Sequence, residues 1–268
     1  MKSLLFSSLA ALAFAAVAPA MAADMQMPLK APPPPPVFSW TGVYIGGNAG
    51  GAWGRDTITT TQTVAPGFFA IDGAAIAVAA SPTINPTGFT GGGQVGYNQQ
   101  AGIWVWGIEA DFEHLGLKGS SAGTFQLPST LPGGPVGPPP LFFSVATSVS
   151  TNWLFTARPR LGVANSNWLF YVTGGVAIGN EKFAQTIMLL APFVENAAFS
   201  TTRVGWTVGA GVEYALNRNW SIKGEYLYVD LGNVSTVGTI TPAFAGVVDA
   251  STVHLTTSIG RGGINYRF

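Results

Sequence analysis

The chain has 268 residues, of which 47% are hydrophobic and 9% charged, where an ordinary soluble domain is about a quarter charged. Twelve basic residues balance twelve acidic ones, which argues against a nucleic-acid partner, and the absence of cysteine excludes disulfides and thiolate metal sites. The 35 glycines, 17 phenylalanines and 8 tryptophans are a composition of strands and turns, not of helices.

Residues 1–22 carry a basic Lys2, an apolar Ala-rich stretch and the small-residue ending Ala20-Met21-Ala22. That pattern predicts an export signal cleaved after Ala22. No cysteine follows the cut, so no lipoprotein anchor is expected. Residues 23–39 form a Pro-rich segment. The run Pro32–Pro36 reads as a polyproline II tether, with a ligand for a proline-binding module as the alternative.

Beyond the signal, no run approaches the roughly 20 apolar residues that a spanning helix needs. An exported, hydrophobic chain without such helices can satisfy its backbone in lipid only as a closed barrel. Period-two patterning supports this for residues 40–268. In "IWVWGIEADFEH", Trp104, Trp106, Ile108, Ala110 and Phe112 alternate with Glu109, Asp111 and Glu113. In "NWLFTARPRLGV", Trp153, Phe155, Ala157, Leu161 and Val163 alternate with Thr156, Arg158 and Arg160. The stretches beginning at Trp168, Arg203 and Trp220 behave alike, with Arg203, Glu213, Lys223 and Glu225 on the polar face. Charges on one face only, over about ten residues, are the pattern of a transmembrane barrel strand.

The expected fold is all-β, an eight-stranded antiparallel up-and-down barrel. Its strands are placed at 41–54, 88–100, 103–115, 144–163, 168–182, 202–216, 220–233 and 252–268. The connections 99–102, 165–167 and 217–219 are short turns. Those at Arg55–Thr87, Gly116–Phe143, Phe183–Thr201 and Val234–Ser251 are long. Three short periplasmic turns and four long extracellular loops put both termini on the periplasmic side. The last strand is inconsistent in parity. Ile264, Tyr266 and Phe268 are even, whereas Val253, Leu255 and Ile259 are odd. Either its upper part stands above the membrane, or a bulge near "GRGG" shifts the register.

Polar residues of the inner face point to an internal ion-pair network rather than a metal site. The acidic triplet Glu109, Asp111 and Glu113, with Glu213 and Glu225, faces Arg158, Arg160, Arg203, Lys223, Arg261 and Arg267. Trp40, Trp153, Trp168, Trp220 and Tyr226 read as membrane-interface girdles. An eight-stranded ring is just wide enough for side chains to fill, so the lumen is expected to be plugged. His114, His254 and Ser258 lie near extracellular strand ends. They read as solvated rim residues, with a lipid A-modifying His/Ser site as a remote alternative. No cofactor is expected and no enzymatic role is assigned.

The stretches "PPPPPVFSWTGVYIGGNAGGAWG", "TARPRLGV" and "NYRF" resemble the outer-membrane immunogenic protein family of alphaproteobacteria, small porin-superfamily barrels with an OmpA-like membrane domain. The resemblance runs from Trp40 to Phe268. It implies an integral outer-membrane barrel with a structural or surface-interaction role, and a small low-conductance porin as the alternative. It also implies that Ile264, Tyr266 and Phe268 form the signal read by the barrel-assembly machinery. The expected partners are that machinery and outer-membrane lipid including lipopolysaccharide. The sequence sets no oligomeric state.

Overall fold

The structure, a computed structural model, describes residues 38–64, 70–128, 141–188, 193–241 and 247–268. The signal segment and nearly all of the Pro-rich tether lie outside the described residues. Alternating faces and an abundance of Val, Thr and aromatic residues produce long strands. These are β1 (Gly42–Val64), β2 (Thr83–Ile84), β3 (Thr87–Ala101), β4 (Trp104–Gln126), β5 (Phe142–Asn165), β6 (Trp168–Met188), β7 (Val194–Ala215), β8 (Trp220–Val237), β9 (Thr239–Thr241) and β10 (Val247–Arg267). A helix, α1 (Ala70–Ala79), lies between β1 and β2.

Consecutive long strands pair antiparallel, and β10 pairs back onto β1, so the sheet closes. The short β2 adds to β1, and β9 adds to β7. One lateral row of paired residues runs Ile45–Val95–Ala110–Ala157–Val176–Trp206–Asp230–Thr256–Arg55. It returns to β1 ten residues above its start (55 − 45 = 10). That stagger, with strand spacings of about 4.8 Å and a rise of about 3.3 Å per residue, tilts the strands by roughly 40°. Among the described residues no helix is long and apolar enough to cross a membrane.

Outward-facing residues divide into two zones. Val43, Ile45, Val95, Ile108, Val172, Val208 and Ile222 form an apolar band. Trp104, Trp168 and Trp220 ring its lower edge, and Trp53, Phe112 and Trp206 its upper edge. From Val43 to Trp53 the band is roughly 25 Å tall at that tilt, the height of a transmembrane apolar belt. Above Trp53 the wall turns polar without leaving the sheet, as Arg55, Thr57, Thr59 and Thr61 are all exposed.

This upper collar is where the sequence expectation needs correction. Among the described residues two short strands, β2 and β9, add to the long ones, and the long strands run past their predicted ends. The segment read as a loop from Phe183 to Thr201 is strand through Met188 and again from Val194. Their outer faces carry Ala184, Thr186, Asn196, Ala198 and Ser200, so they lack the strongly apolar outer face by which membrane strands are recognised, yet their backbones continue the ladder. The parity conflict in the last strand is also resolved. Pairing of β10 with β1 is continuous from Val64–Val247 to Tyr44–Arg267, with no bulge at "GRGG". Val253, Leu255 and Ile259 are buried inside the barrel, while Ile264 and Phe268 face outward. The rule "charged in, apolar out" fails there because the upper interior is itself apolar. Bulges do occur elsewhere. One is at Asn152–Trp153 on β5, where the Asn152 N–H donates to Asn180 Oδ1 at 3.1 Å. A second is at Leu115–Gly116 on β4, opposite Asn152, and a third is at Gly232 on β8, which has φ +78° and donates its N–H to Asp230 Oδ1 at 2.8 Å. Only glycine adopts that φ without strain.

Candidate functional site

The interior is layered along the barrel axis. At the lower mouth Phe38 and Trp40 fold inward and pack with Val105, Leu169 and Tyr171. The Trp40 N–H donates to Gln100 Oε1 at 2.7 Å. Trp40 is therefore an interior plug residue, not a girdle residue. It precedes the first strand and so escapes strand parity. Arg267 stacks over both rings, 4.3 Å from the Phe38 centroid and 5.3 Å from that of Trp40, and donates to the Arg218 carbonyl at 3.2 Å. Its expected membership of the ion-pair network is corrected accordingly, since it sits below the carboxylates.

Next comes the charged layer. Glu109, Asp111 and Glu113, at alternate positions of β4, all point inward, as do Arg158 and Arg160 of the neighbouring β5. Arg158 donates to Glu109 Oε1 at 2.8 Å and to Asp111 Oδ2 at 2.7 Å, and contacts Glu225 at 3.4 Å. Arg160 pairs with Glu213 at 2.9 Å and is held between two tyrosines. The Tyr44 hydroxyl accepts from it at 2.8 Å and donates to Glu109 at 2.7 Å, and the Tyr171 ring lies 3.9 Å from its guanidinium. Lys223 donates to both oxygens of Glu109 at 2.9 and 3.0 Å. Arg261 reaches Asp111 at 3.2 Å and pairs closely with Glu113 and Glu225. Five carboxylates thus share four bases, all of them buried. Glycines make room for them. A Cβ on Gly92 would lie 2.1 Å from the Phe112 carbonyl oxygen, and one on Gly175 2.2 Å from that of Ala157.

Above this layer Leu115, Leu117, Leu154, Leu227, Val229 and Ile259 form an apolar disc. Higher still lie Asp56 and Glu181, both buried, with both carboxylate oxygens of Glu181 lacking a hydrogen-bond partner. Arg203 is half-buried on the lumen wall nearby and donates to the Asn233 carbonyl at 2.6 Å. It forms no ion pair within 4 Å among the described residues, so it stands outside the network assigned to it from sequence. A second apolar layer (Ile58, Val149, Phe183, Val253) and a third, where Ile76 and Ala80 from the α1 segment meet Phe143 and Ile187, close the upper barrel.

These upper acids stand above the apolar band. Burial raises Glu181 to about 8, helped by the Asp56 charge, and burial raises Asp56 to about 7. Near the outer end, burial and then the hydrogen bond from Asp249 push Glu195 upward too. A raised carboxyl pKa means the folded state holds its proton more tightly than the unfolded chain. The stability this confers is full below about pH 4.5 and is lost as pH rises toward 8. Glu181→Gln, which keeps shape without charge, is therefore expected to stabilise the barrel by on the order of 2 kcal/mol at pH 8 and by almost nothing at pH 4. Urea unfolding at both values checks this, and an equal effect at both would count against it.

The remaining candidates are not brought together. His254 Nε2 lies 3.5 Å from Asp230 Oδ1, while Ser258 shares a 2.9 Å hydrogen bond with Tyr226. Four residues along one strand separate His254 from Ser258 by roughly 13 Å, beyond hydrogen-bond reach. His114 is exposed on the outer wall of β4. Ile264, Tyr266 and Phe268 share the outer face of β10. Tyr266 stands edge-on to both Trp220 and Phe268, at 5.1 and 5.2 Å. Sequence reasoning missed Tyr44, Tyr171, Asp56 and Glu181. Inward parity was the available signal for all four, and treating tyrosine as an apolar residue hid the first two.

A family model described as "Outer membrane protein beta-barrel domain" matches residues 7–258. The chain is 37% identical to a 31 kDa outer-membrane immunogenic protein of Brucella melitensis, over the whole of both chains. It is 30% identical to a 22 kDa outer membrane protein of Rhizobium leguminosarum, over 74% of this chain and 67% of that one. Among solved structures, OprG from Pseudomonas aeruginosa is similar with a TM-score of 0.44 at 12% identity, covering 86% of this chain and 98% of that one.

Proposed function

The chain belongs to the outer membrane protein beta-barrel family, and from that premise we propose that it is a closed structural barrel whose outer end meets the surroundings of the cell. The eight long strands make up the spanning ring, and the tight turns face the periplasm. The observation that carries this reading is the interior itself. Aromatic, ionic and apolar layers follow one another along the axis, which supports a lumen filled by side chains. The barrel-assembly machinery and outer-leaflet lipid, lipopolysaccharide included, are its partners, and the likeness to immunogenic proteins suggests that the upper collar is what antibodies meet. Planar-bilayer recording on refolded protein tests the reading. No discrete conductance steps are expected for wild type, nor for Glu113→Gln. Regular small steps from wild type would favour the low-conductance porin instead.

A further inference from the structure

Charge on this barrel is segregated by face. Nearly every acidic side chain on the strands points into the lumen, and Asp230, engaged with His254, is the exception on the outer wall. Among the described residues the exposed cations of the outer wall are Arg55, Lys118 and Lys182. They lie in one zone. A single lateral row runs Trp53–Thr87–Lys118–Ser150–Lys182. With each strand step climbing roughly 3 Å at a 40° tilt, Lys118 stands about 6 Å and Lys182 about 12 Å above the aromatic edge at Trp53. Arg55, two residues further up β1, stands about 5 Å above that edge. These are the depths at which the headgroups of the outer leaflet begin.

We propose that Lys118 and Lys182, with the outward Ser150 between them on β5, form a docking site for the phosphate groups of a phosphorylated glycolipid, and that Arg55 extends the site around the wall. The two lysine backbones are two strand spacings apart, about 10 Å. Side chains of that length converge on one phosphate or span two on a single sugar headgroup, while the acyl chains lie on the apolar band below. Ser150 offers a hydroxyl donor where a third oxygen would fall. Charge complementarity chooses the occupant. Three cations without an ion pair among the described residues, at headgroup depth, suit an anionic lipid and oppose a second copy of the same wall.

This site rests on the outward orientation proposed above, so the experiment separates the two. Because the chain has no native cysteine, Ser148→Cys, exposed on the same wall, reports orientation by its reaction with a membrane-impermeant thiol reagent on intact cells. Labelling is expected, and its absence overturns both the orientation and the site. Binding is then measured on refolded barrel in neutral detergent with EDTA. The probes are a bis-phosphorylated lipid A, its dephosphorylated form and inorganic phosphate, and the readouts are thermal shift and co-purified lipid. The bis-phosphorylated lipid is expected to bind, the other two much more weakly. Lys118→Gln and Lys182→Gln should each weaken it about fivefold and the double variant about thirtyfold, with more loss at high salt. Arg218→Gln, in the turn at the opposite end, should change nothing. Equal binding of the dephosphorylated lipid, or an unchanged double variant that still shows heat-modifiable mobility, overturns the proposal.

Discussion

Arg158→Ala is expected to destabilise the barrel by about 3–5 kcal/mol, the cost of leaving buried charge without its partner. Arg158 is fully buried and bonds Glu109 and Asp111 while touching Glu225. Its removal leaves five carboxylates to three bases. Arg261 and Lys223 are already committed to Glu113, Glu225 and Glu109, so they cannot move across without opening a second gap. Adding Asp111→Asn should recover part of the loss, and the shortfall from additivity measures the coupling. Arg203→Ala is the control. It removes a base of the same wall that lies outside the cluster, and less than about 1 kcal/mol is expected. Urea midpoints in detergent decide the matter. If Arg158→Ala and Arg203→Ala unfold together, the charged layer is passive filling.

Deleting Phe268 should sharply reduce the amount of assembled protein. The side chain is 76% exposed on the outer wall, where lipid would cover it, and burying an aromatic of that size is worth roughly 1.5–3 kcal/mol. Its N–H also donates to the Val43 carbonyl at 3.0 Å, and its ring stacks edge-on against Tyr266. The same deletion damages the assembly signal that the family resemblance implies for Ile264, Tyr266 and Phe268. Phe268→Leu separates the two effects, because it keeps most of the apolar area and loses the ring. Heat-modifiable barrel in outer-membrane fractions is the readout. Assembly of the deletion at the wild-type level would mean that the closing strand carries no such signal. Arg267→Gln should now be judged by its stacking on Phe38 and Trp40, and loosening of the lower plug is the expected consequence.

How much of this was legible depended on where the lipid is. Within the apolar band, alternation is enforced on both sides, by lipid outside and by the charged cluster inside. The acidic triplet of β4 and the Arg158/Arg160 pair are therefore read directly from parity. Above Trp53 neither constraint acts. The outer face of β1 becomes Thr57, Thr59 and Thr61, and the inner residue Ile58 is apolar, so strand and loop look alike in composition. Partner choice was less legible than facing. Arg203, Arg261 and Arg267 share inward parity, but only Arg261 meets carboxylates, because height along the axis follows from the ten-residue stagger, which no local pattern reveals. Trp40 shows the same limit at the chain's entry to the sheet.

One long uninterrupted ladder joins the first strand to the last, from Tyr44 opposite Arg267 to Val64 opposite Val247. No hairpin brings these strands together, so their meeting closes a loop made of nearly the whole barrel. Such contacts of high order carry the largest entropic cost and form late. Until they form, the chain is an open sheet with two raw edges, each a row of unpaired donors and acceptors that lipid cannot satisfy and that another chain could pair with. Folding speed and the danger of aggregation are thus set at one seam, and whatever aligns β10 against β1 acts on the slow step. A variant that leaves every interior layer intact but weakens pairing at this seam should yield the same final barrel, only later and in smaller amount.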